Sequence, residues 1–431
     1  MDKIRIIGGV PLEGTIRISG AKNAALPLMC AALLTDKPFT LTNVPYLADI
    51  VTMTKLLMQH GVEMSMTDAH ARQTMGGITL GRTLVLDASN IFNKTAPYEI
   101  VRKMRASVLV LGPLLARFGE ARVSLPGGCA IGTRPIDLHL KALEQMGADI
   151  ELDQGYIVAK APKGLHGAEI YFNMVSVGAT ENIVMAATLA QGTTVLRNAA
   201  CEPEIVDLVQ CLRGMGANIH GEGTPTLTIH GVPTLGSVFH HVMADRIEAG
   251  SFLACVALAG GDVTLTHAPV DAMLPVLEKA REAGVVLHTP NHQTLRITSQ
   301  GKLEPVDIIT QPHPAFPTDM QAQFMAMMLL TSGTSTITET IFENRFMHVP
   351  ELMRMGANIQ LKDRLAIVKG VPKLNGAEVM ATDLRASISL AIAALATPEE
   401  TVIHRIYHLD RGYENLEAKL SACGADIVRM K

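Results

Sequence analysis

Tryptophan is absent from this sequence of 431 residues, and aromatic residues make up only 4% of it. The Walker lysine motif and the glycine triplet of Rossmann folds are absent as well, which argues against those two ways of binding a nucleotide. The 15 histidines show no zinc-ligand spacing, because His139 stands alone and the adjacent His240 and His241 would point to different faces. We therefore expect chemistry that needs neither a cofactor nor a metal.

Strong charge and long apolar runs are also missing. The formal net charge is -4, which gives no global attraction to nucleic acid or to an anionic membrane. No uninterrupted apolar run approaches the roughly 20 residues that span a bilayer, and Lys3 and Arg5 interrupt what would be the apolar core of a signal peptide. The six cysteines include no CxxC pair. We expect a cytoplasmic globular protein with no nucleic acid or membrane partner.

A small-residue turn between a helical stretch and a short strand occurs six times along the chain. After a longer first interval the turns recur about every 70 residues, well beyond the usual solenoid periods. They lie at Gly61-Val62, Gly147-Ala148, Gly216-Ala217, Gly284-Val285, Gly356-Ala357 and Gly424-Ala425. The chain therefore consists of six variations of one repeat.

A typical repeat reads helix, strand, helix, strand. In the fifth repeat we predict helices over Met320–Leu330 and Val349–Met355, and strands over Ser335–Glu339 and Ala357–Leu361. Each predicted helix is largely apolar and must bury most of its surface. One repeat could not cover so much apolar surface, whereas three repeats could cover one another.

A strand followed by a turn links the repeats. It reads Leu227–Pro233 after the third repeat and Leu365–Pro372 after the fifth, and it is missing after the sixth. A similar strand and turn occur at Ile4–Pro11, so we predict that this N-terminal strand completes the sixth repeat. The chain length suits two domains. We expect one lobe over residues 22–243 and a second over residues 1–21 with 244–431, each with three repeats.

Most cysteines occupy apolar helical positions and are predicted to be packing residues. These are Cys30, Cys211, Cys255 and Cys423. Cys129 differs, because it lies in Pro126–Gly132, a glycine-rich loop without apolar periodicity. We expect this thiol to be exposed, and the spacing allows either a reactive role or an incidental position.

Basic residues recur at the starts and turns of the repeats. Lys22 directly precedes a predicted helix, where unpaired backbone amides already favour anions. The others are Arg105, Arg134, Arg345, Arg385 and Arg411. Each alone could be a separate surface charge or ion pair, but their recurrence favours a shared polyanion site to which both lobes contribute.

Carboxylates begin several predicted helices. Asp245, Asp319 and Asp383 stand at corresponding positions, so an N-cap is the first interpretation for all three, and a catalytic base is the alternative for Asp319. Glu202 and Glu204 are interpreted as carboxylates of a first helical turn.

Four segments carry a resemblance to a known family: Ser19–Ala25 (SGAKNAA), Leu125–Gly132 (LPGGCAIG), Pro314–Phe324 (PAFPTDMQAQF) and Asp410–Glu414 (DRGYE). The sequence resembles the UDP-N-acetylglucosamine 1-carboxyvinyltransferases of the enolpyruvyl transferase family. The resemblance is nearly collinear and extends over the whole chain. The resemblance implies an α/β fold, a two-lobed inside-out α/β barrel with three repeats of strands around buried helices in each lobe.

The resemblance also implies a reaction. The enolpyruvyl group of phosphoenolpyruvate is transferred to the 3'-hydroxyl of UDP-N-acetylglucosamine by addition and elimination, and phosphate is released. This is the first committed step of peptidoglycan precursor synthesis. By resemblance Cys129 is the acid that protonates the methylene carbon and Asp319 is the base that takes the hydroxyl proton, with Lys22 and Arg411 completing the catalytic set.

Binding residues are implied in the same way. The phosphoenolpyruvate positions are Lys22, Asn23, Arg134, Arg345, Arg385 and Arg411. The nucleotide-sugar positions are Arg105, Arg134, Pro135, Ile136, Asp137, Leu138, Ser176, Val177, Asp319 and Ile341. The antibiotic fosfomycin, an epoxide that mimics phosphoenolpyruvate, is expected to alkylate Cys129.

Two features depart from the family pattern. Met174 stands where a lysine commonly precedes the Val-Ser-Val run. The first interval is longer than the others by roughly 15 residues, and we expect the excess in Asp68–Gly81 as an exposed hairpin or loop.

Two rival functions remain to be weighed. One is the sister enzyme 3-phosphoshikimate 1-carboxyvinyltransferase, which the Gly-Gly-Cys loop and the Arg134–Leu138 run disfavour. The other is a catalytically silent paralogue that binds a nucleotide sugar, which the joint presence of Lys22, Cys129, Asp319 and Arg411 disfavours.

Overall fold

The structure is a computed structural model that describes residues 2–68, 81–125 and 136–431. The described chain divides into two compact lobes. We call residues 2–19 with 244–431 the terminal lobe, and the described part of residues 20–243 the middle lobe. The chain leaves the terminal lobe between Ser19 and Gly20 and returns to it between Met243 and Ala244.

The strands of the described residues are short, mostly of five or six residues. They are β1 (Lys3–Ile7), β2 (Leu12–Arg17), β3 (Phe39–Val44), β4 (Glu63–Asp68), β5 (Arg82–Asp87), β6 (Thr95–Ala96), β7 (Glu120–Ser124), β8 (Asp149–Asp153), β9 (Tyr156–Lys160), β10 (Glu169–Tyr171), β11 (Thr193–Arg197), β12 (Asn218–His220), β13 (Thr226–His230), β14 (Val238–His241), β15 (Gly261–Thr266), β16 (Val286–Asn291), β17 (Thr294–Ser299), β18 (Ile308–Ile309), β19 (Thr334–Thr338), β20 (Asn358–Lys362), β21 (Leu365–Lys369), β22 (Glu378–Met380), β23 (Glu400–His404) and β24 (Asp426–Met430).

The helices alternate with these strands. They are α1 (Lys22–Ala31), α2 (Ala48–His60), α3 (Tyr98–Val101), α4 (Leu111–Phe118), α5 (Asp137–Gln145), α6 (Val177–Ala187), α7 (Pro203–Gly214), α8 (Arg246–Ala259), α9 (Leu274–Glu282), α10 (Gln321–Met327), α11 (Val349–Arg354), α12 (Ser387–Leu395) and α13 (Leu416–Ser421). Short segments of 3-10 helix precede or extend several of them, at Ala32–Leu34, Arg105–Val110, Val270–Met273, Thr318–Met320, Met328–Leu330 and Ile406–Arg411.

The strands of the described residues form six four-stranded sheets with one shared topology. In the sheet β10-β11-β13-β12, the edge strand β10 runs parallel to β11, while β13 is antiparallel to both β11 and β12. The other orders are β14-β3-β5-β4, β6-β7-β9-β8, β2-β15-β17-β16, β18-β19-β21-β20 and β22-β23-β1-β24. The six predicted repeats are confirmed, and each sheet is open, with two edge strands.

The glycine turns follow the outer helix of each repeat. Gly61, Gly147, Gly216, Gly284, Gly356 and Gly424 all have a positive φ, between 90° and 112°. Because side chains other than that of glycine are strained in this conformation, glycine is the residue that can end each helix and turn directly into a strand. The helices and strands predicted for the fifth repeat also agree with the structure to within about two residues, the usual uncertainty of element ends.

Strands from distant parts of the sequence complete three of the sheets. The N-terminal strand β1 lies in the centre of the sixth sheet, antiparallel to β23 and to β24. The next strand, β2, runs parallel to β15 at the edge of the fourth sheet. In the middle lobe, β14 returns to run parallel to β3 in the first sheet.

Three inner helices form the core of each lobe. In the terminal lobe α8, α10 and α12 pack on one another, and all nine residues of α12 are buried. In the middle lobe α6 packs against both α1 and α4. Alanine, serine and glycine are frequent in these helices, and their small side chains let the helices lie close together. The sheets cover the outer sides of the helices with their alternating apolar residues.

Cys30, Cys211, Cys255 and Cys423 are all buried, as expected of packing residues. The strands β4 and β5 pair as an antiparallel hairpin, with Asp68 opposite Arg82, while residues 69–80 of the extra segment lie outside the described residues. No helix in the part of the chain that the structure describes has the length and apolarity needed to span a bilayer.

Candidate active site

Asp319 lies in the terminal lobe, inside the 3-10 turn that precedes α10, where its carboxylate meets two arginines. Its Oδ1 is 2.6 Å from Nη2 of Arg345, and its Oδ2 is 3.6 Å from Nε of Arg385. The N-cap interpretation of Asp319 is therefore wrong, because Pro317 occupies the cap position of this turn. By contrast, Asp245 is the N-cap of α8 and accepts from two backbone N–H groups with one carboxylate oxygen. Asp383 accepts two such bonds in the turn before α12, whose cap position is Ala386.

The second of these arginines, Arg385, is buried at the start of α12. Besides Asp319 it faces Asp245, whose Oδ2 lies 3.6 Å from Nη2. Burial alone would lower the pKa of the Arg385 guanidinium, but Asp245, Tyr413 and Asp319 together raise it above its ordinary value. A fixed cation thus stands beside the Asp319 carboxylate, held by ion pairs that are longer than direct hydrogen bonds.

Arg411 ends the 3-10 turn that precedes α13. It lies close enough to His408 to affect its titration: burial chiefly, then the charges of Arg405 and Arg411, lower the pKa of His408 to about 4. This imidazole is neutral at physiological pH, so the positive charge at this point of the terminal lobe comes from Arg405 and Arg411.

A buried network anchors the DRGYE segment that carries Arg411. The Ser19 hydroxyl donates to Oε2 of Glu414 at 2.5 Å. Nζ of Lys419 donates to that hydroxyl oxygen at 2.8 Å and to Oε1 of Glu248 at 2.6 Å. All four side chains are buried, so one lysine stabilises two carboxylates that would otherwise be costly to remove from water.

Lys22 and Asn23 lie in the middle lobe, in the first turn of α1. Lys22 is buried, and its Nζ is 3.4 Å from Oδ2 of Asp49, which is itself in the first turn of α2. This ion pair joins the first turn of α1, where backbone N–H groups point outward, to the first turn of α2.

A second group in the middle lobe surrounds His139 on α5. Burial first, and then the charge of Arg105, lower the pKa of His139 to about 4. Its Nδ1 is 3.0 Å from Nδ2 of Asn182, while Oδ1 of Asn182 accepts from the backbone N–H of Gly112 at 2.7 Å. The amide nitrogen of Asn182 must therefore donate to Nδ1, which places the proton of the neutral imidazole on Nε2.

The remaining described candidates stand at helix starts of the same lobe. Ile136 caps α5, followed by Asp137 and the buried Leu138. Ser176 is the N-cap of α6, and its hydroxyl oxygen accepts from Ala179 N at 3.3 Å; Val177 follows it. Met174, just before this cap, is exposed. Helix starts present backbone N–H groups to anionic ligands, as the nucleotide-sugar interpretation of these positions requires.

Three predicted site residues, Cys129, Arg134 and Pro135, lie outside the described residues. The described candidates fall into two groups, Asp319, Ile341, Arg345, Arg385 and Arg411 in the terminal lobe and the others in the middle lobe. Among residues 2–68, 81–125 and 136–431, no group of three or more His, Cys, Asp or Glu side chains is arranged to hold a metal ion.

Sequence reasoning missed the residues that hold these candidates in place. Asp49 pairs with Lys22 from 27 residues away, and Asn182 sets the tautomer of His139 from 43 residues away. Glu339, which follows β19, is a further example, because it accepts from the Thr318 hydroxyl 21 residues away. Neither hydrophobic periodicity nor a local motif signals such pairs, because the contacts arise only from the fold.

Comparisons with known proteins agree with this architecture. A family model described as EPSP synthase (3-phosphoshikimate 1-carboxyvinyltransferase) matches residues 6–420. The UDP-N-acetylglucosamine 1-carboxyvinyltransferase of Paramagnetospirillum magneticum is 60% identical, over 100% of this chain and 99% of the relative. That of Rhodospirillum centenum is 58% identical over the same shares.

Solved structures show the same fold. The enolpyruvyl transferase NikO from Streptomyces tendae matches with a TM-score of 0.87 and 25% identity, covering 100% of this chain and 99% of the other. EPSP synthase from Acinetobacter baumannii matches with a TM-score of 0.75 and 18% identity, covering 100% of both chains.

Proposed function

Because this chain belongs to the UDP-N-acetylglucosamine 1-carboxyvinyltransferases, within the EPSP synthase family, we propose that it transfers the enolpyruvyl group of phosphoenolpyruvate to the 3'-hydroxyl of UDP-N-acetylglucosamine and releases phosphate. We assign UDP-N-acetylglucosamine as the acceptor because relatives named UDP-N-acetylglucosamine 1-carboxyvinyltransferase are 56–60% identical to this chain over its full length. The solved EPSP synthase of Acinetobacter baumannii, by contrast, is only 18% identical to this chain. The product would serve peptidoglycan precursor synthesis.

The geometry of the terminal lobe supports the chemistry of addition. The sugar hydroxyl adds to C2 of phosphoenolpyruvate while its proton leaves, and the Asp319 carboxylate is the proposed acceptor of that proton. Arg345 and Arg385 flank this carboxylate and supply fixed positive charge for the substrate's carboxylate. Because both arginines are already held by the protein, they need little reorganisation when the substrate binds.

The phosphate end of the substrate is assigned to Lys22, Arg134 and Arg411, with Asn23 beside the tetrahedral adduct. The support for Lys22 is its position at the start of α1, oriented by Asp49. Elimination then removes the proton gained at C3 together with the phosphate, which regenerates the double bond in the product. Cys129 is the proposed donor of that proton in the addition step.

The nucleotide sugar is assigned to the helix starts of the middle lobe and to Ile341. The neutral His139 offers an Nε2–H donor beside Arg105, which is a polar recognition pair for a phosphate or a sugar oxygen. Met174 cannot supply the cation that a lysine would supply at this position, so Arg105 and Arg134 would carry the diphosphate contacts.

A cytoplasmic location is part of the proposal. Its support is that Cys30, Cys201, Cys211, Cys255 and Cys423 are all unpaired thiols, as is usual in a reducing compartment.

Phosphate release tests the transfer. The purified chain is incubated with phosphoenolpyruvate and either UDP-N-acetylglucosamine or shikimate 3-phosphate, and we expect release with the nucleotide sugar alone. Release with shikimate 3-phosphate instead would move the assignment to the sister enzyme. Binding of the nucleotide sugar without release, by a folded protein, would identify a silent paralogue.

Asp319→Asn tests the base. We expect kcat to fall roughly 100- to 10,000-fold, the usual contribution of a general base, while the protein stays folded. The matched control is Asp363→Asn, an exposed hairpin residue with a φ of 52° that asparagine tolerates. A kcat for Asp319→Asn within about threefold of the wild-type value would remove Asp319 from this role.

Fosfomycin tests the thiol. Attack by the Cys129 thiolate on an epoxide carbon forms a C–S bond and opens the ring to an alkoxide, which takes up a proton. We expect loss of activity in the wild type with one added inhibitor mass, and resistance with retained turnover in Cys129→Asp, since a carboxylic acid can also donate a proton. Cys201→Ser, at a half-buried cysteine, should remain as sensitive as the wild type.

A further inference from the structure

Glu339 is a fully buried carboxylate directly after β19, and four neutral donors surround it. Oε1 accepts from the Thr310 hydroxyl at 2.9 Å, from Ile341 N at 2.8 Å and from Phe342 N at 3.1 Å. Oε2 accepts from the Thr318 hydroxyl at 2.7 Å. A buried carboxylate is retained only when such donors satisfy it, so the four bonds form one rigid cluster.

Thr318 links this cluster to the candidate base. Its oxygen accepts from Nη1 of Arg345 at 3.0 Å, and Nη2 of the same guanidinium donates to Oδ1 of Asp319 at 2.6 Å. Arginine can only donate, so the single hydroxyl proton of Thr318 must point to Glu339. The donor-only guanidinium of Arg345 thus fixes the direction of its bonds to Thr318 and Asp319, and with them that of the Thr318–Glu339 bond.

The same carboxylate also holds the segment that follows β19. By accepting from Ile341 and Phe342 it fixes the turn that leads to Arg345, whose guanidinium carbon lies 5.4 Å from the centre of the Phe342 ring. Thr340 is tied to the cluster too, since its backbone N–H donates to the Thr310 hydroxyl oxygen at 3.0 Å. One side chain thus connects the segment of Asp319 with the segment of Ile341 and Arg345.

We propose that Glu339 and Thr318 are positioning residues for the transfer reaction, which orient the Arg345 guanidinium and through it the Asp319 carboxylate before substrate binds. This inference rests on the proposed function, in which Asp319 is the base. The Glu339 carboxylate need not touch a substrate, because it acts through the Thr318 hydroxyl. The bonds from Arg345 to Thr318 and from Thr318 to Glu339 form a relay that holds the guanidinium in place. The second terminal nitrogen of Arg345 therefore meets Asp319 from one direction, which gives the base one orientation and a constant electrostatic environment.

Thr318 gives the sharpest test, because serine keeps the hydroxyl and valine removes it at nearly unchanged volume. In Thr318→Val, Arg345 loses an acceptor and the contact with Asp319 loosens. We expect kcat to fall 10- to 100-fold with little change in the KM for the nucleotide sugar. The acidic limb of the pH–rate profile should move to higher pH, because a looser ion pair stabilises the ionised carboxylate less. Thr318→Ser should restore both.

Thr310→Val is the matched control, since it removes a hydroxyl bond of the same kind from the other oxygen of Glu339. We expect a lower melting temperature with an unchanged acidic limb. Equal shifts of the limb in Thr310→Val and Thr318→Val would reduce Glu339 to a merely structural role, and a wild-type limb and kcat in Thr318→Val would overturn the proposal.

Glu339→Gln changes the polarity of the relay at constant shape. The new amide donates to the Thr318 oxygen and forces the hydroxyl proton to turn away. That oxygen still accepts from Arg345, but less strongly because the hydroxyl no longer donates to a carboxylate, so the limb should shift in the same direction as in Thr318→Val and by a smaller amount. A crystal structure of Thr318→Val supplies a test that does not depend on the reaction. A lengthened Arg345–Asp319 contact supports positioning even if the proposed function fails, and an unchanged 2.6 Å contact overturns it.

Discussion

Besides His408, two more deeply buried histidines of the described residues are kept neutral, chiefly by burial. The pKa values of His139 and His348 are both lowered to about 4, in each case by burial first. His348 is an extreme case, because neither ring nitrogen has a hydrogen-bond partner in the part of the chain that the structure describes. Nearby, Asp383 raises the pKa of His348 and Arg345 lowers it.

These imidazoles predict an acid-dependent loss of stability. Unfolded histidine titrates near pH 6.5, so between about pH 6.5 and 4 the unfolded chain binds more protons than the folded one. Stability is therefore complete above this window and falls as the pH is lowered through it. For His348 the loss is at most about 3 kcal/mol.

The measurement is the free energy of unfolding in urea, for the wild type and His348→Gln, at several values between pH 4 and 7. Glutamine does not titrate, so we expect the advantage of the wild type over the variant to shrink as the pH falls. A difference that stays constant across the window would show that His348 is not buried in the neutral form.

A second prediction concerns the buried lysine of the DRGYE anchor. Lys419→Met removes the cation that stabilises Glu248 and Glu414, and burial already raises the pKa of Glu248 even with the lysine present. We expect a loss of about 3–5 kcal/mol. Lys279→Met, which breaks an exposed pair with Glu282 at 2.7 Å, should cost less than about 1 kcal/mol. Equal losses in urea unfolding would contradict the role of the buried network.

At this scale the sequence predicts residue types better than it predicts partners. Asp245 could be recognised as a cap because a cap contacts its own helix, two or three residues away. Asp319 occupies a similar position, yet its carboxylate contacts Arg345 and Arg385, both distant in sequence. Such pairs depend on how inner helices pack, which no local pattern records.

At the scale of the element, the glycine of the recurring strand and turn marks a close approach to an inner helix. A Cβ atom on Gly231 would lie 1.6 Å from the carbonyl oxygen of Ala190, and one on Gly370 would lie 1.8 Å from that of Thr331. In both places the next residue donates a backbone bond of 2.8 Å, from Val232 to Thr188 and from Val371 to Leu329. The strand and turn recur because in each of these repeats the residue after the glycine forms a backbone hydrogen bond with the end of the inner helix.

Two alanine substitutions in the terminal lobe separate crowding from backbone strain. Gly424 has a φ of 92° but open space around a Cβ atom, so Gly424→Ala should cost about 1–2 kcal/mol of left-handed strain. Gly370→Ala forces the strand away from the helix end and should cost about 4 kcal/mol or more. Urea unfolding of both variants measures the difference, and a smaller loss for Gly370→Ala would refute the docking argument.

Periodicity predicts the helices and the longer strands because each is long enough for its apolar residues to repeat several times. It could not predict the parallel edge strands β6 and β18, which have only two residues each. A strand so short has no alternation, and the fold creates it by placing a loop beside an existing strand.

At the scale of the whole molecule, the first strand of the sequence completes the last sheet. Ile4 and Ile6 of β1 are buried between β23 and β24, and Lys3 lies opposite Met430. A chain that lacks residues 2–11 should leave both neighbouring strands with an unpaired edge. We expect protease to remove residues 244–431 at temperatures where the intact protein resists, and an unchanged digestion pattern would contradict this.

A circular permutant is the control for that deletion. Because Lys3 and Met430 are paired neighbours, a short linker can join Lys431 to Met1 as a hairpin. New ends can be opened at Gln154-Gly155, the turn between β8 and β9. The permutant retains β1 and should keep both its protease resistance and its phosphate release.

The repetition of the chain made this architecture predictable. The sixth repeat lacks the strand and turn that follow other repeats, and an unassigned copy of this segment lies at the N-terminus. The sequence does not predict the places of β2 and β14. Each of these strands joins a sheet distant in sequence, and its local pattern is the same whichever sheet it joins.

The central place of β1 also sets an order of events on the ribosome. Its partners β23 and β24 begin at Glu400 and Asp426, so at about 5–20 residues per second the first strand waits roughly 20–80 seconds for them. The middle lobe, whose last strand ends at His241, can close during that wait. Synthesis therefore favours a nascent chain in which the middle lobe is finished first, while an apolar leading strand remains without its sheet and in need of protection from other unfolded chains.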